Sequence, residues 1–208
     1  MSPPVFLTLR HIVLLSLVWA ASADAAEQDW VTTRTIEGVK VEAQVTPSGF
    51  KIHRADVLLC TEIANLRAYI ADASRFHEWI PDVDQVRLLD VSDASVVYYM
   101  KTKAPWPFRP RDMIYQLTEM RVSGDPSEVS IAIRGLPSYL PEANDASRMR
   151  EVKGQWRIVS EGKGLRVTYQ LFVNPGSVPK FFANRRVSTS LARTLINLRR
   201  QFQCQAEP

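Results

Sequence analysis

The stretch from Pro179 to Phe202 constrains the fold of this chain more than any other. Its apolar residues Val187, Leu191, Leu195, Leu198 and Phe202 follow one another at steps of four, four, three and four, which lays one apolar stripe along a helix. Arg185, Arg186, Arg193, Arg199 and Arg200 fall largely off that stripe and predict a wet, basic opposite side. Pro179 suits a first turn, where its missing N–H costs no intrahelical bond. A helix this one-sided must lie on an apolar surface. The residues from about Val39 to Val173 read as the sheet that supplies it.

Val39, Val41, Ala43 and Val45 alternate with Lys40, Glu42, Gln44 and Thr46, the period of a strand with one wet face. Pro47, Ser48 and Gly49 turn the chain into a second strand, Phe50 to Leu59, so a hairpin is predicted. Thr61 is placed to cap a helix over Glu62 to Ile70, and a second short helix fits Ser74 to Trp79 before Pro81. Strand patterns then return over Val83 to Leu89, Ala94 to Lys103, Asp112 to Arg121, Glu128 to Leu136, Val152 to Ser160 and Leu165 to Val173. Turns such as Ser123-Gly124-Asp125-Pro126 separate several of them, which predicts an antiparallel meander. Along these strands Met113, Tyr115 and Leu117, or Leu165, Val167, Tyr169 and Leu171, share one face, so one side of the sheet is apolar. The fold class is therefore α+β. A curved sheet around a long helix rarely closes completely, and a cavity between them is expected.

A length of 208 residues suits one domain. Arg10 and His11 precede an apolar run from Ile12 to Ala21, too short for a membrane span, and small residues follow at Ala21, Ala23 and Ala25. This predicts a signal peptide over residues 1–25, cut after Ala23 or Ala25, a single domain over 26–208, and a periplasmic location. In an oxidising compartment Cys60 and Cys204 have two readings, a bridge that pins the last helix or two separate thiols. The net charge of +4 suits anionic lipid headgroups better than nucleic acid, which calls for a clustered basic stripe.

Four motifs in order carry a resemblance. They are Trp79-Ile80-Pro81-Asp82-Val83; Ala104-Pro105-Trp106-Pro107 followed by Arg111-Asp112-Met113-Ile114; Gly154-Gln155-Trp156-Arg157-Ile158; and Asn174-Pro175-Gly176-Ser177-Val178-Pro179 leading into Asn184-Arg185. Together they resemble the START family of lipid-transfer domains, in a secreted bacterial-type form, over roughly Val39 to Phe202. The resemblance implies a helix-grip fold, a curved antiparallel sheet wrapped around a long C-terminal helix with two short helices after the first hairpin. It implies a tunnel for one hydrophobic molecule, and a lid formed by the last helix and an adjoining loop. Related polyketide cyclases work on aromatic precursors in the same cup.

The expected ligand-binding set is Trp79, Tyr99, Trp106, Arg111, Met113, Tyr115, Ile131, Ile133, Trp156, Tyr169, Leu171, Phe182, Val187, Leu191 and Leu195. Trp106, between two prolines, is either a ligand contact at the cavity rim or a packed corner. Arg111 and Arg150 share parity with cavity-facing neighbours and need a partner, for Arg111 a carboxylate such as Asp112, Asp82 or Asp84, or a ligand headgroup; the alternative is that both emerge at the sheet edge. Phe181 and Phe182 either pack on the sheet or dip into an anionic membrane while Lys180, Arg185 and Arg186 meet phosphate. Outside the leader only His53 and His77 remain as histidines, and no nucleophile elbow, metal-ligand spacing or Gly-rich phosphate loop is present. The expectation is thus a monomeric, non-enzymatic carrier of a lipid or sterol-like molecule, without cofactor, metal or nucleic acid. The alternative is a cyclase/aromatase using the same cavity, which requires a Tyr, His, Arg or carboxylate of perturbed pKa in mid-cavity.

Overall fold

The computed structural model describes residues 29–121 and 127–204. The expected signal peptide and the turn at Ser123 to Pro126 lie outside the described residues. The chain runs β1 (Val31–Ile36), β2 (Val39–Val45), β3 (Lys51–Leu59), α1 (Ile63–Ala71), a 3-10 turn (Ala73–Arg75) and α2 (Phe76–Trp79). It continues through β4 (Val83–Val91), β5 (Ser95–Thr102), β6 (Arg111–Arg121), β7 (Glu128–Gly135), β8 (Ser147–Arg148), β9 (Glu151–Glu161), β10 (Gly164–Asn174) and α3 (Lys180–Gln201). The main sheet has the order β1-β2-β3-β10-β9-β7-β6-β5-β4, antiparallel throughout, and β8 adds a two-residue parallel bridge to β6. This is the α+β helix-grip architecture expected from the sequence, with α1 and α2 crossing from β3 to the far edge strand β4.

The strand β1 was not anticipated. Its β-branched run Val31-Thr32-Thr33-Arg34-Thr35-Ile36 is mostly exposed and lacks the clean alternation of β2. Its signal was the turn: Glu37 and Gly38 both take positive φ, 45° and 79°, the conformation that a two-residue hairpin of right-handed twist demands. The expected cap at Thr61 is also corrected. Glu62 occupies the N-cap, without a side-chain bond to the helix, and α1 starts at Ile63.

The 22 residues of α3 span about 33 Å at 1.5 Å per residue, enough to lie along the sheet's concave face. Leu191, Leu195 and Leu198 are at most 1% exposed, and each contributes on the order of 1.5–3 kcal/mol by leaving water. The helix is tied at both ends. At its start the Asn184 carboxamide oxygen accepts from Lys51 N–H at 2.9 Å and its amide donates to the Gly49 carbonyl. At its end Cys204 is disulfide-bonded to Cys60, whose N–H donates to the Phe202 carbonyl, while Arg199 and Arg200 hold Glu37 in the β1–β2 turn. The last element of the chain is thereby fastened to the first three strands and the turns beside them.

On the opposite face a smaller core forms from Val97, Tyr99 and Ile114, covered by the segment between β7 and β9. That segment is held by Arg148. Its guanidinium donates to both oxygens of Asp112 at 3.1 and 3.0 Å and to the carbonyls of Pro137, Leu140 and Pro141, with both charged side chains at most 1% exposed. Nearly every polar atom of the pair is satisfied, which is what allows it to be buried.

Candidate functional site: a hollow beneath the closing helix

The inner faces of β5, β6, β7, β9 and β10 do not meet α3 everywhere. Towards Leu195 and Leu198 the helix sits directly on the core, whereas around Val187 and Leu191 a cavity of about 130 Å³ separates it from the sheet. Ile70, Phe76 and Trp79 from the two short helices close its side, which is why the chain spends these residues between β3 and β4. Gly154 lets β9 and β10 approach closely behind this wall. A Cβ there would lie 2.5 Å from the Gln170 carbonyl oxygen and within contact of Ile133 and Leu171, both of which line the hollow.

Nine of the expected ligand residues are brought together on this wall: Trp79, Met113, Tyr115, Ile133, Trp156, Tyr169, Leu171, Val187 and Leu191. The alternation along β6, β9 and β10 does this, because residues two apart share a face. Ile131 and Leu195 are buried in the adjoining core and do not line the cavity. Tyr99 is corrected. Its register opposite Ile114 turns it to the other face, where its ring carries the Arg87 guanidinium at 4.5 Å, and its neighbour Tyr98 takes the inward position. Trp106 is 92% exposed on the β5–β6 loop and contacts neither cavity nor corner, so both readings of it fall.

Arg111 and Phe182 stand outside the hollow, in a wider opening of about 540 Å³ that adjoins it. The two spaces share Thr102, Met149, Val173, Arg186 and Val187 as common wall, so they lie side by side, and the outer one is termed the vestibule. Asp112 was expected as a partner for Arg111, but Arg148 takes it. Arg111 instead donates to the Pro175 carbonyl at 3.2 Å, and no carboxylate reaches it among the described residues. Arg150 does not face the cavity either; it is exposed and paired with Glu142. Phe181 is 69% and Phe182 52% exposed, so these rings do not pack on the sheet, although Phe182 leans on Phe108 of the facing loop.

The polar equipment of the hollow is sparse and one-sided. Tyr115 and Tyr169 present their rings to it and neither hydroxyl has a hydrogen-bond partner among the described residues. Burial pushes both phenols well above their ordinary pKa, and for Tyr115 the neighbouring Tyr169 and Tyr98 add to the effect. Both therefore stay neutral donors at any ordinary pH. Tyr169 is fixed by stacking on Trp156, with centroids 3.8 Å apart and planes 3° from parallel. The indole N–H of Trp79 is buried with no acceptor among the described residues. Among the described residues the one carboxylate on the wall is Asp82, at the mouth, where Arg186 holds it at 2.7 Å. The arrangement can hold an apolar body and offer hydrogen bonds to an oxygen atom inside it. Sequence reasoning did not find the contributions of Ile70, Phe76, Met100 and Met149, whose inward direction depends on how separate elements pack.

Residues 61–203 match the family described as polyketide cyclase / dehydrase and lipid transport. An uncharacterised protein of Pseudomonas aeruginosa is 29% identical over 194 residues, covering 92% of this chain and 95% of that one. A crystal structure of a STAR-related lipid transfer protein from Xanthomonas axonopodis has a TM-score of 0.77 at 31% identity, covering 84% of this chain and 99% of that chain. An aromatase/cyclase from Streptomyces shares the fold alone, with a TM-score of 0.51 at 14% identity over 73% of this chain and 93% of that one. The expectation of a non-enzymatic protein is overturned here. It rested on missing catalytic motifs, and the matched family is described by polyketide cyclases and dehydrases as well as lipid transport. The fold and the family support binding of a hydrophobic small molecule in the cavity. By the match over most of its described length, this chain belongs to the polyketide cyclase / dehydrase and lipid transport family.

Proposed function

We propose that the protein takes up one hydrophobic, carbonyl-bearing molecule into the hollow and promotes its intramolecular condensation, the cyclase/dehydrase side of its family. One observation carries this reading: two tyrosine hydroxyls, of Tyr115 and Tyr169, with no hydrogen-bond partner among the described residues, on a mostly apolar wall. Their raised pKa values keep both hydroxyls protonated, so each can donate a hydrogen bond without giving up its proton. Their role is to polarise a carbonyl and to stabilise the oxygen as it gains negative charge, in a site where low polarity strengthens such bonds. The apolar wall meanwhile folds a flexible chain so that its two reacting carbons meet. One carbon gives up its protons to solvent water and bonds to the carbonyl carbon, whose oxygen takes up protons from solvent and leaves as water.

A second reading, carriage of a lipid, is favoured by the 31% identity to the lipid transfer protein of Xanthomonas axonopodis. In that reading the same hydroxyls hold a lipid oxygen while the opening by α3 admits the molecule, with transient contact at an anionic membrane through Phe181 and Phe182. For either reading we propose a periplasmic location, supported by the leader-like start of the sequence and by the bond between Cys60 and Cys204. The test incubates ligand-free protein with short aromatic-forming polyketones and, separately, with sterols, fatty acids and phospholipids, followed by native mass spectrometry. The condensation reading predicts a retained polyketone that loses the mass of water, and a slower loss in Tyr115→Phe. Retention of lipids alone, with no polyketone converted, would refute it in favour of carriage.

A further inference from the structure

The vestibule and the hollow differ in charge. The hollow carries Asp82 and Arg186 as an ion pair, whereas the vestibule wall holds Arg34, Lys103, Arg111, Arg185, Arg186 and Arg193 and no carboxylate. Five of these six cations, all but Arg186, have no acidic side chain within 4 Å among the described residues. Arg34 spends its bond on the Thr189 hydroxyl and Arg111 on a backbone carbonyl. Burial, and after it the nearby Arg109, disfavours the charge of Arg111, a cost that an anion beside it would offset. Between the cations the floor is apolar, formed by Pro105, Phe108, Val178 and Phe182. Elsewhere on the sheet comparable arginines are neutralised, as Arg166 is by Asp56 and Glu161 and Arg157 by Glu128.

Size adds a second constraint. At about 130 Å³ the hollow is below the roughly 300–1,000 Å³ usual for drug-sized ligands, and the vestibule, at about 540 Å³, is within it. For a guest larger than the hollow, the space to extend into is the vestibule that adjoins it at Val187.

We infer that the ligand is a soluble anionic amphiphile, its apolar part in the hollow and a carboxylate or phosphate head held by the cationic rim of the vestibule. This rests on the reading of the hollow as a binding cavity and names the class of molecule that enters it. Arginine suits such a head because its planar fork donates two parallel bonds to two oxygens. The positive rim also draws the anion in from solution, an effect that salt weakens.

The experiment measures binding of dodecanoate, dodecyl phosphate, dodecanol and dodecylamine by calorimetry, below their aggregation concentrations. The wild type binds the two anions about tenfold tighter than the alcohol, as two or three partly exposed charge pairs provide, and the amine weakest. Raising salt narrows the gap. The variant Lys103→Gln/Arg185→Gln/Arg193→Gln changes exposed side chains that bridge to no carboxylate, and thermal melting verifies that it folds. It binds dodecanol as before and prefers the anions by less than about threefold. Equal binding of dodecanol and dodecanoate by the wild type, or a preference unchanged in the variant, overturns the inference and leaves the cavity reading standing. Failure of all four probes to bind overturns both. A parallel sedimentation arm uses vesicles of phosphatidylglycerol and of phosphatidylcholine. Binding to the anionic vesicles that the variant loses, without any preference among the soluble probes, assigns the rim to a bilayer surface and overturns the proposal.

Discussion

Tyr115→Phe should move stability and binding in opposite directions. Tyr115 is 6% exposed and its hydroxyl has no partner among the described residues, although it borders the hollow. Burying a hydroxyl without a partner costs roughly 1–3 kcal/mol on mutational evidence, and a site beside a cavity that admits water lies at the low end. Removing it therefore stabilises the ligand-free protein by about 1 kcal/mol, which for a chain of this size raises Tm by about 2–4 °C. A ligand whose carbonyl accepts from that hydroxyl loses one neutral hydrogen bond, about 0.5–1.5 kcal/mol, and binds about 2- to 12-fold more weakly. The assay pairs urea and thermal unfolding with calorimetric titration of a hydrophobic aromatic ketone and of the hydrocarbon lacking the carbonyl. Affinity for the hydrocarbon should hold or rise. A variant that is less stable than wild type by about 1 kcal/mol, with ketone affinity unchanged, would show that the hydroxyl serves the fold and would refute the reasoning.

Two further outcomes follow from buried polar groups outside the hollow. Asp112→Ala strands the Arg148 guanidinium in a buried site and should cost about 3–5 kcal/mol in urea unfolding, with much of it recovered in Asp112→Leu/Arg148→Met; a single-variant loss below about 1 kcal/mol would contradict the pair's role. His53, 2% exposed with neither ring nitrogen bonded, is held by burial, and after it by Lys51 and Arg34, at a pKa lowered from 6.5 to about 4. A depressed histidine favours the neutral ring in the folded state, so its stabilising share is complete above pH 6.5 and drains away as the pH falls towards 4. The full loss is on the order of 3 kcal/mol. His53→Leu should flatten stability over that window relative to wild type, and parallel pH curves would count against this assignment.

Much of the architecture was legible before any coordinates. The four-four-three-four spacing of α3 and the period-two alternation along β2, β6 and β10 are local consequences of helix and strand geometry, so they placed the helix, the meander and the inward faces of Tyr115, Tyr169 and Leu171. Alternation fails where both faces are covered. On β5 the run Val97-Tyr98-Tyr99-Met100 is buried throughout, and only the register against β6 sends Tyr98 inward and Tyr99 to the second core. Long-range pairing was equally silent in the sequence. Asp112 and Arg148 meet across 36 residues, and no spacing rule joins them.

The sequence by itself determined which residues are apolar, with what period, and hence that a one-sided helix would close over a one-sided sheet. Only the tertiary structure decided how far the closure goes. Packing is a property of volumes that meet in space, and the gap at Val187 and Leu191, the seal at Leu195 and the cationic mouth arise from residues on strands, loops and helix brought together by the fold.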